Sequence, residues 1–380
     1  MKILIGGDVA PIGRNERYFI DGDIEKLFND LLTEFKRADL SVINLECPLI
    51  NESTPILKSG PVLGAKSACI NGIRKAGIDV VSLANNHIMD HGPAGLKNTL
   101  RVCTEAGVST VGAGMNLSEA RRILIKEIDK VRIGVLAVAE HEFSIATDNS
   151  WGANPLDLID YVRNVKEHWD SFDYLIVLLH GGNEGYPFPS PRLKNICHFM
   201  VEMGANAVIV QHSHCPGCYE EYRNAHIVYG QGDLLFDRNS KVLYKGFLVK
   251  LLIEDDLSSS MEIIPYVQDS SRIGIRRMRK EEEMSFRQSL IERSNAIKDE
   301  TFVQDQWLKF CEERKHYYFS KLLGHNSLFD KLNSQGLLER FFYKPKTLLR
   351  SLNIVSCEAH REVLETIFRH WVVSNFSSED

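Results

Sequence analysis

No run of apolar residues in this 380-residue chain approaches the roughly 18 that a membrane-spanning helix needs. The most apolar stretches, 131–139 and 174–179, have strand length. The opening Met1-Lys2-Ile3-Leu4-Ile5 meets Asp8 before a secretory leader's apolar core and small-residue cleavage site can form, so the expected location is cytoplasmic. The eight cysteines are scattered without regular spacing, which excludes a disulfide-stapled scaffold and fits reduced thiols. There is no excess of positive charge. With 45 basic against 51 acidic side chains the net charge is −6, which argues against nucleic acid as a partner of the bulk surface. Internal repeats and low-complexity tracts are also lacking.

Familiar catalytic signatures are missing too. Gly6-Gly7-Asp8 matches neither the Walker pattern nor GxGxxG, and no serine sits in a GxSxG elbow. The Cys215-Pro216-Gly217-Cys218 tetrad has the spacing of a redox pair, but no helical pattern follows it and no second pair accompanies it. Two reduced thiols in a turn are the simplest reading. A redox pair, or a zinc site shared with His212 and His214, are the alternatives.

What the chain does have is alternation. Length alone predicts two to three domains. Over the first 250 residues, short β-branched runs at 2–6, 40–44, 79–83, 131–139, 174–179, 207–210 and 226–229 alternate with helical spacing at 24–35, 95–106, 157–169 and 193–203. Continuous apolar strands alternating with helices of this length predict an α/β fold. After about residue 270 the strand signal fades. Arg272, Arg276, Arg277, Arg279 and Lys280 form a basic run, read as a solvated linker or as a contact for an anionic polymer or phosphate. Aromatic-rich helical turns follow at 307–310, 317–319 and 341–343. The reading is a catalytic-type domain over 1–270 and a mainly helical extension over 271–380, whose aromatic face is a candidate for homo-oligomer formation.

Polar residues cluster just after the apolar runs, where open α/β sheets place their ligands. Asp8, Glu46, Asn86, His180, His212 and His214 supply the carboxylate, amide and imidazole donors that one or two divalent cations take, with Mn, Fe and Zn suited alike. His212 and His214 are separated by one residue, and a tight turn there would aim both at one site. His87 follows Asn86 and can stay off the metal as general acid, with Asp90 orienting its ring. Gly182 permits close backbone approach to a ligand, and Glu184, Asn85 and Asp233 join it as candidates for substrate contact.

These segments resemble the CapA family of poly-γ-glutamate capsule synthesis proteins, which is similar to the calcineurin-like metallophosphoesterases. The likeness is carried by Gly7-Asp8-Val9, Asn44-Leu45-Glu46, the block 76–87 ending Ala84-Asn85-Asn86-His87 with Asp90 and Gly92, and then Gly112-Ala113-Gly114. It continues through His180-Gly181-Gly182 with Glu184, His212-Ser213-His214, and Gly230-Gln231-Gly232-Asp233 with Phe236-Asp237. The resemblance implies a four-layer αββα metallophosphoesterase-like sandwich, the six metal ligands named above, and His87 as general acid. There are departures. Ala10 stands where metallophosphoesterases place a histidine, Gly181 replaces a tryptophan, Val210 and Gln211 replace the glycine before His-x-His, and Asp233 replaces an asparagine. The implied function is metal-dependent hydrolysis or transfer in capsule or surface-polymer biosynthesis, on an anionic polymer or a phosphorylated small molecule. A non-hydrolytic polymer-binding component and a metal-dependent amide-bond enzyme are the alternatives.

Overall fold

A computed structural model describes residues 1–237, 244–268 and 272–322, with a few positions between 344 and 368. The chain enters on β1 (Lys2–Ala10), β2 (Leu40–Leu45), β3 (Val80–Ser82) and β4 (Ser109–Val111), all parallel. It then builds a second sheet from β5 (Leu124–Ile128), β6 (Val131–Ala139), β7 (Tyr174–His180), β8 (Ala207–Gln211), β9 (Tyr219–Tyr222) and β10 (Ala225–Tyr229). It returns to the first sheet with β11 (Asp233–Phe236), β12 (Tyr244–Ile253), β13 (Ser259–Gln268) and β14 (Ile275–Arg277). The eight-stranded sheet runs β14-β13-β12-β1-β2-β3-β4, with β11 pairing the far end of β1; the six-stranded sheet runs β9-β10-β8-β7-β6-β5.

The period-2 alternation of the second sheet shows how the layers pack. Ile133, Val135, Ala137, Ile176 and Leu178 join one apolar core with Ile3, Ile5, Val42 and Val81 of the first sheet. Leu136, Val138, Leu175, Val177 and Leu179 face the other way, into a second core with Tyr161, Val165, Leu193, Ile196 and Met200. Those last residues lie on the helices Leu158–Glu167 and Pro191–Glu202. On the far side of the first sheet, Phe19, Leu27, Phe35 and Ile73 from short helices complete its core. The result is the four-layer αββα arrangement.

One compact unit covers Met1–Gln306 and a second covers Trp307–Asp380. Residues 272–306, grouped by sequence texture with the helical extension, lie within the first unit. The reason is that β14 extends the first sheet by pairing with β13, and the helix Lys280–Ala296 buries Phe286 and Leu290 in the main core. Two members of the basic run are ion-paired. Arg276 pairs with Glu282 at 2.8 Å and Arg277 with Glu34. The helix Glu300–Leu322 carries a stacked Trp307–Phe310 pair. The aromatic turn at 341–343 lies outside the described residues. Among the described residues, no helix is long and apolar enough to cross a membrane.

Candidate metal centre

The parallel registers bring the strand ends together. Asp8 is level with Asn44, and Asn44 with Ser82, in the first sheet; His180 is level with Gln211 in the second. Asp8, Asn44, Glu46, Asn86, His87, His180 and His212 are all buried there. Gly6 and Gly7 permit this closeness: a Cβ on Gly7 would stand 2.2 Å from the Gly232 carbonyl oxygen.

After β8 the backbone turns sharply. His212 has φ of +93° and His214 of +55°, a region that L-residues with side chains enter at a cost and that concentrates at functional sites. This turn sets both imidazoles on the cleft, 5.8 Å apart by ring centroids.

Two overlapping donor groups result, Glu46–His180–His212 and Asp8–Glu46–His214, each with ligand atoms within 4.8 Å of one another. His180 Nε2 lies 3.1 Å from Asn86 Oδ1, 3.1 Å from His212 Nδ1 and 3.6 Å from Glu46 Oε1. His214 Nδ1 lies 3.8 Å from Asp8 Oδ2, and its Nε2 is 4.0 Å from Glu46 Oε1. Glu46 belongs to both groups.

The surrounding contacts hold these donors in place. Asn44 Nδ2 donates to Asp8 Oδ1 at 2.8 Å and the His212 N–H donates to Asp8 Oδ2 at 3.1 Å. Asn86 Nδ2 donates to Glu142 at 3.3 Å, which leaves its Oδ1 toward His180. Asp233 Oδ1 is 2.7 Å from His214 Nδ1, so it lies against a metal-ligand candidate. Such carboxylate partners fix the orientation of a ligating imidazole.

The electrostatics fit a cation. Burial pushes the Asp8 carboxyl up, His214 draws it back, and Asp233 adds to the rise. Burial also pushes His180 well below the ordinary imidazole range, with His212 and His214 adding to the fall, so it is neutral with a lone pair to give. A buried carboxylate beside neutral imidazoles is a set that a divalent cation completes. Position 10, where the sequence has alanine, adds no donor: Ala10 is fully buried in β1.

His87 and Asp90 form the neighbouring feature. His87 Nδ1 donates to Asp90 Oδ2 at 2.6 Å. Burial would raise the Asp90 carboxyl, but hydrogen bonds from His87, Lys58 and the Leu63 N–H outweigh it and hold the group low. Asn85 is placed differently from its expected contact with substrate. Its Nδ2 donates to Asn44 Oδ1 and the Leu45 carbonyl, and its Oδ1 accepts from the His87 N–H. Gly182 has φ of +96° and donates its N–H to Glu140 at 2.9 Å, while Glu184 is exposed.

Three further residues stand at the site beyond those expected from the sequence. Glu140 and Glu142 follow β6 and obey the same strand-end rule that picks out the others. Lys58 comes from a long loop and carries no sequence signal. The thiols of Cys215 and Cys218 are free, and burial pushes Cys215 up to about 11 and Cys218 higher still, so neither is a reactive thiolate at neutral pH.

Residues 2–238 match the family model described as "Bacterial capsule synthesis protein PGA_cap". The chain is 26% identical over 276 residues to "Capsule biosynthesis protein CapA" of Bacillus anthracis, covering 70% of this chain and 67% of that one. It is 25% identical over 246 residues to "PGA biosynthesis protein CapA" of Bacillus subtilis (strain 168), covering 63% and 64%. It thus spans about two thirds of the length of these relatives. Among solved structures it is similar to a hypothetical protein from Thermus thermophilus, with 17% identity, a TM-score of 0.45, and coverage of 71% of this chain and 99% of that one. A 5'-nucleotidase precursor from the same organism gives 9% identity, a TM-score of 0.40, and coverage of 78% and 59%.

Proposed function

We propose that this chain, which belongs to the bacterial capsule synthesis protein family PGA_cap, is a metal-dependent hydrolase acting on a phosphoester in the biosynthesis of a capsule or surface polymer. The observation that carries the reading is the pair of donor groups sharing Glu46, set beside the His87–Asp90 pair.

Asp8, Glu46, Asn86, His180, His212 and His214 would hold one or two divalent cations, and the mixed oxygen and nitrogen donors suit Mn, Fe or Zn. A divalent cation there supplies a Lewis acid that polarises a phosphoryl or carbonyl oxygen and makes water a nucleophile near neutral pH. Asp90 accepts the Nδ1 proton of His87, which leaves Nε2 as the nitrogen that passes a proton to the leaving oxygen. Gly182 and Glu184, with Asp233 beside His214, line the approach of substrate. An anionic polymer or phosphorylated small molecule would be drawn by the bound cations, since the chain itself carries −6. Free cysteines at seven described positions suit a reducing compartment such as the cytoplasm.

The test is elemental analysis of the purified protein, followed by turnover of phosphodiester substrates by wild type and His87→Ala. Bound Mn, Fe or Zn and a fall of about a hundredfold or more in the variant are expected. Unchanged turnover in His87→Ala would remove that residue from the chemistry. Ala10 favours a second reading, in which the chain binds an anionic polymer without cleaving it, because the Asp8 side has one donor fewer. Binding of poly-γ-glutamate by chelator-treated protein, with no turnover of any ester, would establish that reading instead.

A further inference from the structure

We propose that Lys58 is a positioning residue for the proton donor, holding the Asp90 carboxylate in the one orientation that serves His87. The proposal rests on the reading of His87 as the proton donor.

Residues 51–64 form a largely exposed loop, yet they are pinned to the turn that carries Asn86, His87 and Asp90. The Thr54 N–H donates to His91 Nδ1 at 2.9 Å, Thr54 Oγ1 to the His91 carbonyl at 2.9 Å, and the Ile56 N–H to the Asp90 carbonyl at 3.0 Å. From the middle of this loop Lys58 turns inward. Its side chain is 2% exposed, and its Nζ lies 2.6 Å from Asp90 Oδ1, on a carboxylate that is fully buried. The same ammonium stands 3.4 Å from His87 Nδ1 and 3.4 Å from the Asn86 carbonyl oxygen.

The geometry divides the two oxygens of Asp90. Oδ1 takes the ammonium; Oδ2 takes the Leu63 N–H at 2.7 Å and His87 Nδ1 at 2.6 Å. Contacts from Thr54 and Ile56 also anchor the loop, so the buried ammonium is not its only tie. A buried pair costs desolvation and is a weak source of stability. Its effect falls on the carboxylate: it balances the charge of Asp90 and fixes its plane, which aims Oδ2 at His87. Charge-assisted bonds of this length are short and directional. The loop thereby completes the proton donor of a turn distant in sequence.

The experiment compares the full-length, metal-loaded wild type with Lys58→Met and with Leu57→Ala, a change at an exposed neighbour in the same loop. Metal content, the low-field proton resonance of the His87 Nδ1–H, and kcat and KM on alkyl and on nitrophenyl phosphodiesters are measured. In Lys58→Met, metal content and KM hold and the low-field resonance is lost. There kcat falls about tenfold or more on the alkyl ester, whose leaving group needs a proton, and less than about threefold on the nitrophenyl ester. Leu57→Ala matches wild type. An unchanged resonance with unchanged kcat in folded Lys58→Met overturns the proposal. If that variant does not fold, Lys58→Met/Asp90→Asn removes the charge imbalance and is compared with Asp90→Asn alone. Equal losses support the proposal, and multiplied losses overturn it. If wild type turns over no phosphoester, the hydrolase reading fails while the resonance still decides the role of Lys58.

Discussion

His180 Nε2 and His212 Nδ1 face each other across 3.1 Å, with Asn86 Oδ1 equally close to His180 and Glu46 Oε1 at 3.6 Å. His180 ends β7 and His212 directly follows its parallel neighbour β8, so the sheet register and the sharp turn at His212 together set the approach. A cation between the rings would draw both lone pairs and offset the Glu46 charge, and so would bind the folded chain far better than the unfolded one.

Metal loading should therefore stabilise the fold. At a free cation concentration a hundredfold above Kd, linkage gives about 2.7 kcal/mol, which for a unit of this size raises Tm by a few degrees. Calorimetry of chelated and Mn- or Zn-loaded protein checks this. His180→Ala should abolish the difference, and an identical Tm with and without chelator would exclude a built cation site.

Close backbone approach at the cleft predicts an intolerant glycine. A methyl group on Gly7 would meet the Gly232 carbonyl oxygen at 2.2 Å and Gln231 Cβ at 3.4 Å. The carbonyl is backbone and cannot swing aside. Gly7→Ala should cost about 3 kcal/mol and displace the segment that carries Asp233, weakening cation binding with it. Urea denaturation and metal titration of the same variant measure the two effects. A variant as stable as wild type would mean that β1 and the Gly232 turn separate without cost.

The strand-end rule explains how much could be read in advance. Asp8, Glu46, Asn86, His180 and His212 each follow an apolar run that is a parallel strand, so sequence order alone puts them at the carboxyl ends of strands, while the meeting of two sheets there is a tertiary fact. Glu140 and Glu142 follow β6 by the same logic. Lys58 could not be found that way, because its contact with Asp90 depends on how a loop without periodicity folds back over 32 residues of sequence separation. Residues 275–277 make a strand too short for a pattern to register, and three arginines within 276–279 read more readily as a linker. That Arg276 and Arg277 are spent on Glu282 and Glu34 is a tertiary fact.

Lys194 provides a test of which partner matters in a buried contact. Its side chain is 3% exposed, and its Nζ donates to the Ile297 carbonyl at 2.6 Å and to Glu300 at 2.5 Å, whose own side chain is 72% exposed. An exposed carboxylate contributes little, so Glu300→Gln should cost less than about 1 kcal/mol. Lys194→Met leaves the carbonyl at the end of the helix Lys280–Ala296 without its donor and should cost about 2 kcal/mol. Chemical denaturation of both variants gives the comparison. Equal costs would show that the ion pair, and not the carbonyl, is the principal contact.

Glu282 sits in the first turn of the helix Lys280–Ala296, where both of its oxygens are engaged. Arg276 donates to them at 2.8 and 3.0 Å, and the Arg279 N–H donates at 2.7 Å. The Arg276 guanidinium first, and then the Arg279 N–H, hold this carboxyl down to about 2, against an ordinary value of 4.5. Because the folded value lies below the unfolded one, the stabilisation is fully present above pH 4.5 and is lost as pH falls toward 2. The pair lies near the surface, so screening limits it to about 1 kcal/mol at pH 7. Glu282→Gln should show that deficit at pH 7 and converge on wild type as pH falls to about 2. Urea unfolding across the acid range checks the sign. A deficit that widened on acidification would place the stabilisation in the protonated carboxyl and contradict the observed hydrogen bonds.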